Sequence, residues 1–337
     1  MKKLWIPEES FGVLLPLIQN EQITDLNWSQ GLWVDHLYKG RYRCQDVVLS
    51  KLFLEQFSAR LSNLMNVQFN KNHPLLEAET DELRISILHE SVTNTGLSLS
   101  IRKTPARRRL QRDRMLLEQY CTGEAEAFLA NCVRAHMTCM IGGLVGTGKT
   151  ELLKYMTKEI PDYERVWTIE DTLEIRYSKI NPGKDCVEVK VQDVFDYRMA
   201  LKASKRQMPK WVLVAEVRST EVVYLFENIS AGIHCISTLH LDDISRLPDR
   251  LKNMGVHVEE CDIYSFINIG ILLESAITER GIVRKIAQIM AFSRVEEQNR
   301  KVMLYEDGRV LERKLPLDLE RKFIKAGISD PWKRNMG

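Results

Sequence analysis

Residues 137–159 read MTCMIGGLVGTGKTELLKYMTKE, and this stretch decides the fold of the chain. Its apolar start, Met137 to Ile141, is typical of a buried strand, and Glu151 to Glu159 is typical of a helix. Between them, residues 143–150 match the phosphate-loop pattern GxxxxGK[ST] in full. The order strand, glycine loop, helix lets backbone N–H groups surround a phosphate at the positive end of the helix dipole. The stretch therefore predicts an α/β domain with a phosphate-binding site.

The phosphate loop assigns roles to individual residues. Lys149 is expected to reach the β- and γ-phosphates of a nucleotide, and the Thr150 hydroxyl is expected to ligate the Mg²⁺ that bridges them. ATP and Mg²⁺ are therefore the predicted cofactors. The predicted nucleotide-binding residues are Gly143, Gly146, Thr147, Gly148, Lys149, Thr150 and Glu151.

Two further strand-like segments end in acids. The segment WVLVAE, residues 211–216, places Glu216 after a buried run, where a carboxylate can hold Mg²⁺ or orient the attacking water. The segment WTIEDT, residues 167–172, carries Glu170 and Asp171, which can polarise water beside a triphosphate. For this second segment, spacing alone leaves a solvated acidic turn equally open.

A histidine closes a third segment, AGIHCISTLH at residues 231–240. A hydrogen bond from His240 to a γ-phosphate would make the histidine a sensor of the bound nucleotide. Spacing alone favours the simpler interpretation, in which a lone histidine is a structural or surface residue.

The chain divides into two predicted domains. From residue 135 onward, strand candidates alternate with helices, which indicates a mostly parallel sheet with ligands at the carboxyl ends of its strands. We predict an α+β N-terminal domain at 1–103, a basic linker at 104–115 and the α/β nucleotide-binding domain at 116–337. The strand candidates of the second domain are Thr138–Ile141, Arg165–Ile169, Cys186–Val191, Trp211–Val214 and Cys235–Leu239.

Other elements follow from periodicity and turn residues. Helices are predicted at Leu49–Met65 and Leu116–Arg134, and a hairpin is predicted from Ile271–Thr278 and Ile282–Phe292. The charged tail from Leu317 is expected to fray. The N-terminal strand candidates are Gly31–Val34, Arg41–Val48, Leu83–Leu88 and Leu97–Arg102.

Composition excludes several classes of protein. The net charge is only +2, although residues 102–114 hold seven basic residues and one acid. The seven cysteines are scattered and never form CxxC, which argues for a reducing compartment and against a disulfide framework or a zinc knuckle. The longest uncharged apolar stretch, Ile263 to Leu273, is shorter than the roughly 20 residues that span a bilayer. We expect a cytoplasmic protein whose membrane association is peripheral.

Taken together, the motifs resemble those of the type II and type IV secretion ATPases, a family that also powers pilus assembly and conjugation. Residues 164–175, ERVWTIEDTLEI, are similar to the family's Asp box, and 211–219, WVLVAEVRS, to its Walker B segment with Glu in place of Asp. Residues 237–243, STLHLDD, are similar to its His box. N-terminal segments at 31–43, 73–86 and 99–103 also resemble the family, nearest its type IV secretion and tight-adherence (Flp) pilus branch.

The resemblance implies a RecA-like P-loop ATPase domain after a small α+β domain. It implies that Glu170 activates water, that Glu216 lies in the metal and water shell, and that His240 senses the γ-phosphate. It also implies a homo-hexameric ring that works with an inner-membrane platform protein. Three arginines match family arginines that approach nucleotide: Arg84, Arg102 and Arg218.

The chain departs from the family pattern at several positions. Its loop reads GLVGTGKT where the family usually shows GxTGSGKT, so Leu144 and Val145 stand where small or polar residues are usual. Ala215 replaces a usual glycine, Lys210 a usual aspartate, and Ile233 stands at the first His-box histidine. These departures leave every phosphate-handling residue in place.

Three functional hypotheses remain open at this stage. The first is an ATP-hydrolysing motor of a secretion or pilus machine, and the second is a nucleotide-binding assembly scaffold with little turnover. The third is a conjugative DNA-transfer motor, which the sequence favours least because no aromatic residues interleave with the basic run to stack on bases. The sequence leaves the driven machine undetermined among pilus extension, pilus retraction, protein export and DNA transfer.

Overall fold

The computed structural model describes residues 5–219, 221–254, 258–279 and 281–334. Its contacts divide the chain into two compact units: Met1–Ala106 with Ile277–Val283, and Arg107–Ala276 with Arg284–Gly337. The division falls inside the segment that we predicted as a linker. It also assigns the hairpin tip at 277–283 to the first unit, whereas the sequence analysis placed that tip in the second domain.

The first unit is a six-stranded antiparallel sheet with helices on its apolar face. The strands lie in the order β3-β2-β1-β6-β5-β4. Short 3₁₀ helices cover Glu8–Leu14 and Glu90–Val92. The labelled elements are α1 (Leu15–Gln19), β1 (Ile23–Trp28), β2 (Leu32–His36), β3 (Gly40–Cys44), α2 (Lys51–Met65), β4 (Leu75–Glu79), β5 (Leu83–Leu88) and β6 (Ser98–Lys103).

Helix α2 has clear sequence signals at both ends. The Ser50 hydroxyl accepts a hydrogen bond from the Phe53 backbone N–H, and Asn66 ends the helix in the left-handed conformation. Leu54, Phe57 and Leu61 repeat at helical spacing and are buried in the core of this unit. The sequence analysis predicted this helix and missed β1 and β4.

The other face of this sheet is polar, and one row of charges crosses all six strands. Neighbouring members of the row are direct cross-strand partners. In strand order from β4 to β3 the row is Glu79, Arg84, Arg102, Asp25, Asp35 and Arg41. Two of the family-matched arginines therefore stand side by side on this face.

The second unit contains most of a nine-stranded sheet with helices on both faces. Its first half comprises α3 (Arg112–Leu117), α4 (Gly123–Arg134), β7 (Cys139–Gly143), α5 (Lys149–Met156), β8 (Val166–Glu170), α6 (Tyr177–Ile180), β9 (Cys186–Lys190), α7 (Tyr197–Arg206) and β10 (Trp211–Val214). The rest comprises α8 (Glu221–Ser230), β11 (His234–Leu239), α9 (Leu247–Lys252), α10 (Glu260–Phe266), β12 (Ile269–Thr278), β13 (Gly281–Val295), β14 (Gln298–Glu306), β15 (Arg309–Val310) and α11 (Leu317–Lys325). Short 3₁₀ helices cover Thr157–Glu159 and Ile244–Arg246.

The strand order is β15-β14-β13-β12-β7-β11-β10-β8-β9. Six neighbours, from β12 to β9, pair in parallel. The carboxyl ends of these parallel strands consequently lie on the same side of the sheet, which brings together the ends of β7, β8, β10 and β11. Strands β7 and β11 are adjacent at the centre. The phosphate loop and the three motif segments all follow these strand ends, as the predicted fold class requires.

Two predictions about the helices of this unit were wrong. The single helix predicted at Leu116–Arg134 is divided into α3 and α4, because Gln119 takes a positive φ of 56° between them. The tail from Leu317, expected to fray, forms α11 and continues packed through Trp332, whose ring stacks on Phe128 with centroids 4.4 Å apart. The charged residues of this tail led to the prediction of fraying, but apolar residues in the same segment anchor it.

Within the described ranges, no helix is both long enough and apolar enough to cross a membrane.

Candidate functional site

The phosphate loop joins β7 to α5 and takes a conformation that requires glycine. Gly146 and Gly148 have φ values of 79° and 93°. A Cβ at Gly143 would lie 2.8 Å from the Leu273 carbonyl oxygen, too close for any other residue. The first N–H groups of α5 lack partners within the helix, so they are available to an anion at this end. Leu144 and Val145 point outward and are 60% and 81% exposed, so they leave the inside of the loop open.

Lys149 is buried in the structure, although an empty phosphate loop could leave such a lysine facing solvent. Its Nζ donates to the carbonyl oxygens of Gly143 at 2.9 Å and Leu144 at 3.0 Å, and lies 3.3 Å from Nδ1 of His240. Burial lowers the pKa of the ammonium group, while nearby Glu216 and Glu174 oppose that shift. The carbonyl oxygens of the loop therefore accept the hydrogen bonds that Lys149 would donate to a bound phosphate.

A chain of hydrogen bonds links Lys149 to three other motif segments. Because an ammonium only donates, Lys149 fixes Nδ1 of His240 as an acceptor and Nε2 as the protonated nitrogen. Nε2 lies 3.0 Å from Oε1 of Glu216, whose Oε2 accepts from Arg218 at 3.0 Å. Arg218 also donates to Asp171 at 2.9 Å. The hydrogen bond to Glu216 raises the pKa of the Arg218 guanidinium, which stays charged.

Glu170, at the end of β8, is fully buried. Its Oε2 accepts hydrogen bonds from the backbone N–H groups of Glu174 at 2.8 Å and Ile175 at 2.9 Å. Within the part of the chain that the structure describes, its buried Oε1 has no hydrogen-bond partner. Burial raises the pKa of this carboxyl to about 8, although the two N–H donors act in the opposite direction. Backbone hydrogen bonds therefore hold Oε2 in place, whereas Oε1 has no such partner among the described residues.

Glu174 is a site residue that the sequence analysis missed. Its Oε2 lies 3.3 Å from the Thr150 hydroxyl, the predicted Mg²⁺ ligand. The signal was present in the sequence, since Glu174 follows the strand-end acid Glu170 by four residues in a turn. Glu151, predicted to bind nucleotide, uses its carboxylate for the Arg109 backbone N–H at 3.1 Å and for Lys154 at 3.4 Å.

Arg84 and Arg102 belong to the first unit, on the polar face of its sheet. Arg102 pairs with Asp25 at 2.7 Å, and Arg84 lies 3.9 Å from Glu77. Both guanidinium groups are about half exposed. Such exposed ion pairs contribute little to stability, so the arginines can exchange these partners for a stronger anion at small cost.

His234 follows Ile233, which stands at the position of the first His-box histidine, and it lies at the start of β11 and not at its carboxyl end. There it packs beside His136 and the Trp211 ring, with centroids 4.7 Å and 5.4 Å away. Burial lowers the pKa of His234 to about 3, so the ring is neutral. This histidine is therefore part of the packing at the amino end of β11, whereas His240 follows the carboxyl end of the same strand.

Three motif segments far apart in sequence thus converge on one phosphate loop. The family model of the type II/IV secretion system protein matches residues 57–312. The chain belongs to this family. The match covers parts of both units and includes every predicted site residue.

Two relatives in sequence point to the type IV branch of the family. The type IV secretion system protein PtlH of Bordetella pertussis is 30% identical over 255 residues, which cover 67% of this chain and 72% of PtlH. Protein VirB11 of Rhizobium radiobacter is 34% identical over 149 residues, and this match spans 41% of each chain. The VirB11 match therefore covers less than half of that relative's length.

A solved structure supports the fold class. The pilus retraction motor PilT, crystallised with bound ADP, superposes with a TM-score of 0.54 at 15% identity. The superposition covers 81% of this chain and 81% of PilT. At this identity the likeness concerns the fold, and it confirms an α/β architecture with a RecA-like ATPase domain.

Proposed function

We propose that this protein is an Mg²⁺-dependent ATPase that drives a secretion or pilus-assembly machine. The observation that carries the proposal is the hydrogen-bonded chain from Lys149 through His240 and Glu216 to Arg218. These side chains come from the phosphate loop, the His box and the Walker B segment, and they meet at the edge where a γ-phosphate would lie. Family membership supports the same conclusion, as does the fold shared with the pilus retraction motor PilT, which binds ADP.

The residues present fit a nucleotide and its metal. The glycine loop offers backbone donors, and Lys149 needs only to exchange two carbonyl acceptors for phosphate oxygens. Mg²⁺ prefers oxygen ligands and keeps several waters, which suits the Thr150 hydroxyl with Glu216 and Glu174 close by. When bound, Mg²⁺ would neutralise charge on the β- and γ-phosphates.

The roles of the protein side chains follow from their contacts. Glu170 accepts a proton from the attacking water through Oε1, because its raised pKa lies near the working pH of a general base. His240 responds to nucleotide because the Lys149 ammonium that fixes its Nδ1 is the group that would turn to phosphate. Arg218 holds Glu216 in place and brings Asp171 into the same network.

The proposed machine is a homo-hexameric ring, acting at the cytoplasmic face of a membrane with an inner-membrane platform protein. Family resemblance supports this assembly. In the ring, Arg84 and Arg102 serve the nucleotide of their own chain or of a neighbouring chain.

A scaffold with little turnover is the second candidate, and Lys149 favours it. A lysine bound by its own loop and by His240 must be displaced before it can act, which would slow turnover. The DNA-motor alternative is weaker, because Arg108, Arg112 and Arg114 of the basic segment have protein acceptors.

Phosphate release separates the motor from the scaffold. The motor predicts many phosphates released per wild-type chain from Mg–ATP, and release that stops when Mg²⁺ is chelated. Purified protein that binds ATP but releases no phosphate above buffer, alone or with membranes from its host, would support the scaffold and contradict the motor.

The first-unit arginines give a second prediction. An arginine that reaches the transferring phosphoryl group contributes about 10³-fold or more in rate. We therefore expect Arg84→Ala and Arg102→Ala to reduce turnover far more than ATP affinity, and turnover per chain to fall on dilution as the ring dissociates. Arg41→Ala, in the same charged row, is the control. Flat turnover through dissociation, with both variants equal to wild type, would make these arginines ordinary surface charges.

A further inference from the structure

Two arginines and a tyrosine lie beside the phosphate loop and outside the predicted set of site residues. They are Arg109 in the basic segment, Tyr120 after α3 and Arg284 on β13. All three belong to the second unit, although they are far apart in sequence.

Arg284 touches the loop directly. Its Nε donates to the Gly146 carbonyl oxygen at 2.8 Å. Its Cδ lies 3.8 Å from the position that a Cβ on Gly148 would occupy. Lys149, in contrast, binds the carbonyls of Gly143 and Leu144. The loop is therefore contacted by one cation at its beginning and by another at its later glycines.

Arg109 is held beside the first turn of α5. Its backbone N–H donates to Oε2 of Glu151, the residue that follows the GKT sequence. Its Nε and Nη2 atoms are buried, and neither has a hydrogen-bond partner among the described residues. A buried guanidinium nitrogen without an acceptor is costly, so this position favours an acceptor that the protein does not supply.

Arg108, the preceding residue, shows how this segment satisfies a structural arginine. Its guanidinium donates to the carbonyl oxygens of Lys154 and Ile180, at 2.9 Å and 2.6 Å, and to two side chains. The fold can therefore saturate an arginine at this place, and Arg109 is left unsaturated next to it.

Tyr120 adds a third unsatisfied donor. Its side chain is buried, and within the described residues its hydroxyl has no hydrogen-bond partner. Burial raises the pKa of this hydroxyl, and the charges of Arg284 and Glu151 both act on it, so it lies near both side chains. Burial lowers the pKa of Arg284, and the nearby charge of Arg109 lowers it further. Two guanidiniums that repel each other are stabilised by an anion between them.

We infer that Arg109, Arg284 and Tyr120 form an anion subsite that binds the nucleotide phosphate nearest the ribose. This inference rests on the proposed function. Phosphate loops hold the α- and β-phosphates on their backbone, with the lysine at the β- and γ-phosphates. The acids that suit Mg²⁺, Glu216 and Glu174, lie at the Lys149 side. The arginines that touch Gly146 and Glu151 therefore take the α-phosphate.

The test is nucleotide affinity, measured by calorimetry with Mg²⁺ on the full chain. Loss of one charge-assisted hydrogen bond should weaken ADP binding about tenfold in Arg109→Gln and in Arg284→Gln. Tripolyphosphate, which has no nucleoside, should weaken by a similar factor. The matched controls are Arg114→Gln, in the same basic segment, and Arg294→Gln, on the same strand as Arg284; both should bind like wild type.

Each other outcome has a defined meaning. Unchanged ADP affinity in both variants would overturn the subsite, and so would weaker ADP binding with unchanged tripolyphosphate binding, which would indicate contact with the base or ribose. Inorganic phosphate that binds ADP-saturated wild type, but not these variants, would show a separate phosphate site and also overturn it. If a glutamine variant unfolds, Arg109→Lys and Arg284→Lys keep the charge but lose the planar guanidinium donors, so ADP affinity should still fall. Unchanged ADP affinity in both lysine variants would contradict the inference. Wild type that binds neither ADP nor tripolyphosphate would overturn the proposed function itself.

Discussion

Replacing Lys149 with alanine is expected to reduce ATP hydrolysis by at least about 10²-fold and to weaken nucleotide binding strongly. The ammonium group is the charge that the loop brings to the terminal phosphates, and loss of one such donor at a transition state costs on the order of 10² to 10³ in rate. Its burial adds a second effect. Without Lys149, the carbonyls of Gly143 and Leu144 lose a donor, and His240 loses the partner that fixes its tautomer.

Steady-state phosphate release and ADP affinity measure this prediction, and circular dichroism with thermal melting checks the fold. Lys252→Ala, at an exposed position at the end of α9, is the matched control and should behave like wild type. Hydrolysis at the wild-type rate in a folded Lys149→Ala protein would show that the phosphate loop is not the site of ATP hydrolysis.

Glu216→Gln and Glu170→Gln are expected to bind ATP and to lose hydrolysis by about 10²-fold or more. In Glu170 the amide keeps the hydrogen bonds from Glu174 and Ile175 but cannot accept a proton from water, and general base catalysis contributes about 10² to 10⁴ in rate. In Glu216 the amide keeps the shape but loses the charge that faces Arg218 and the metal. Single-turnover hydrolysis and ATP affinity, measured side by side, separate the chemical step from binding.

The raised pKa of Glu170 gives this prediction a pH dependence. A base with a pKa of about 8 is only about one-tenth ionised at pH 7, so wild-type hydrolysis should rise as the pH increases from 7 to 9. The small residual activity of Glu170→Gln should lose that rise. Glu188→Gln, a nearby acid that binds Ser178 at 2.7 Å, serves as the control and should keep it. A rise that persists in Glu170→Gln would assign the titration to another group.

The parallel core of the second unit could be predicted from sequence, because its strands are short and largely apolar runs that alternate with helical segments. All five strand candidates, from Thr138–Ile141 to Cys235–Leu239, correspond to observed strands. The phosphate loop was equally readable, since its glycines have one physical explanation. Strand β4, at one edge of the first sheet, was not predicted: it reads LLEAE, with too few residues to show a period.

The site was harder to predict where side chains act across the fold. Glu216 and His240 stand at the ends of adjacent strands. Its place after a buried run pointed to Glu216, whereas the family resemblance was needed to point to His240. Their link through Lys149 depends on the order of β7, β11 and β10, which periodicity does not give. Arg109 and Arg284 belong to no motif, because their positions result from a loop that reaches Glu151 and a strand that reaches Gly146, in different parts of the chain.

The most direct test of the central claim is a crystal structure of the full chain with Mg²⁺ and a non-hydrolysable ATP analogue. We expect phosphate density within residues 143–150, with Lys149 turned from the Gly143 and Leu144 carbonyls to phosphate oxygens and Thr150 at the metal. A saturating analogue bound elsewhere, with Lys149 still on those two carbonyls, would contradict it.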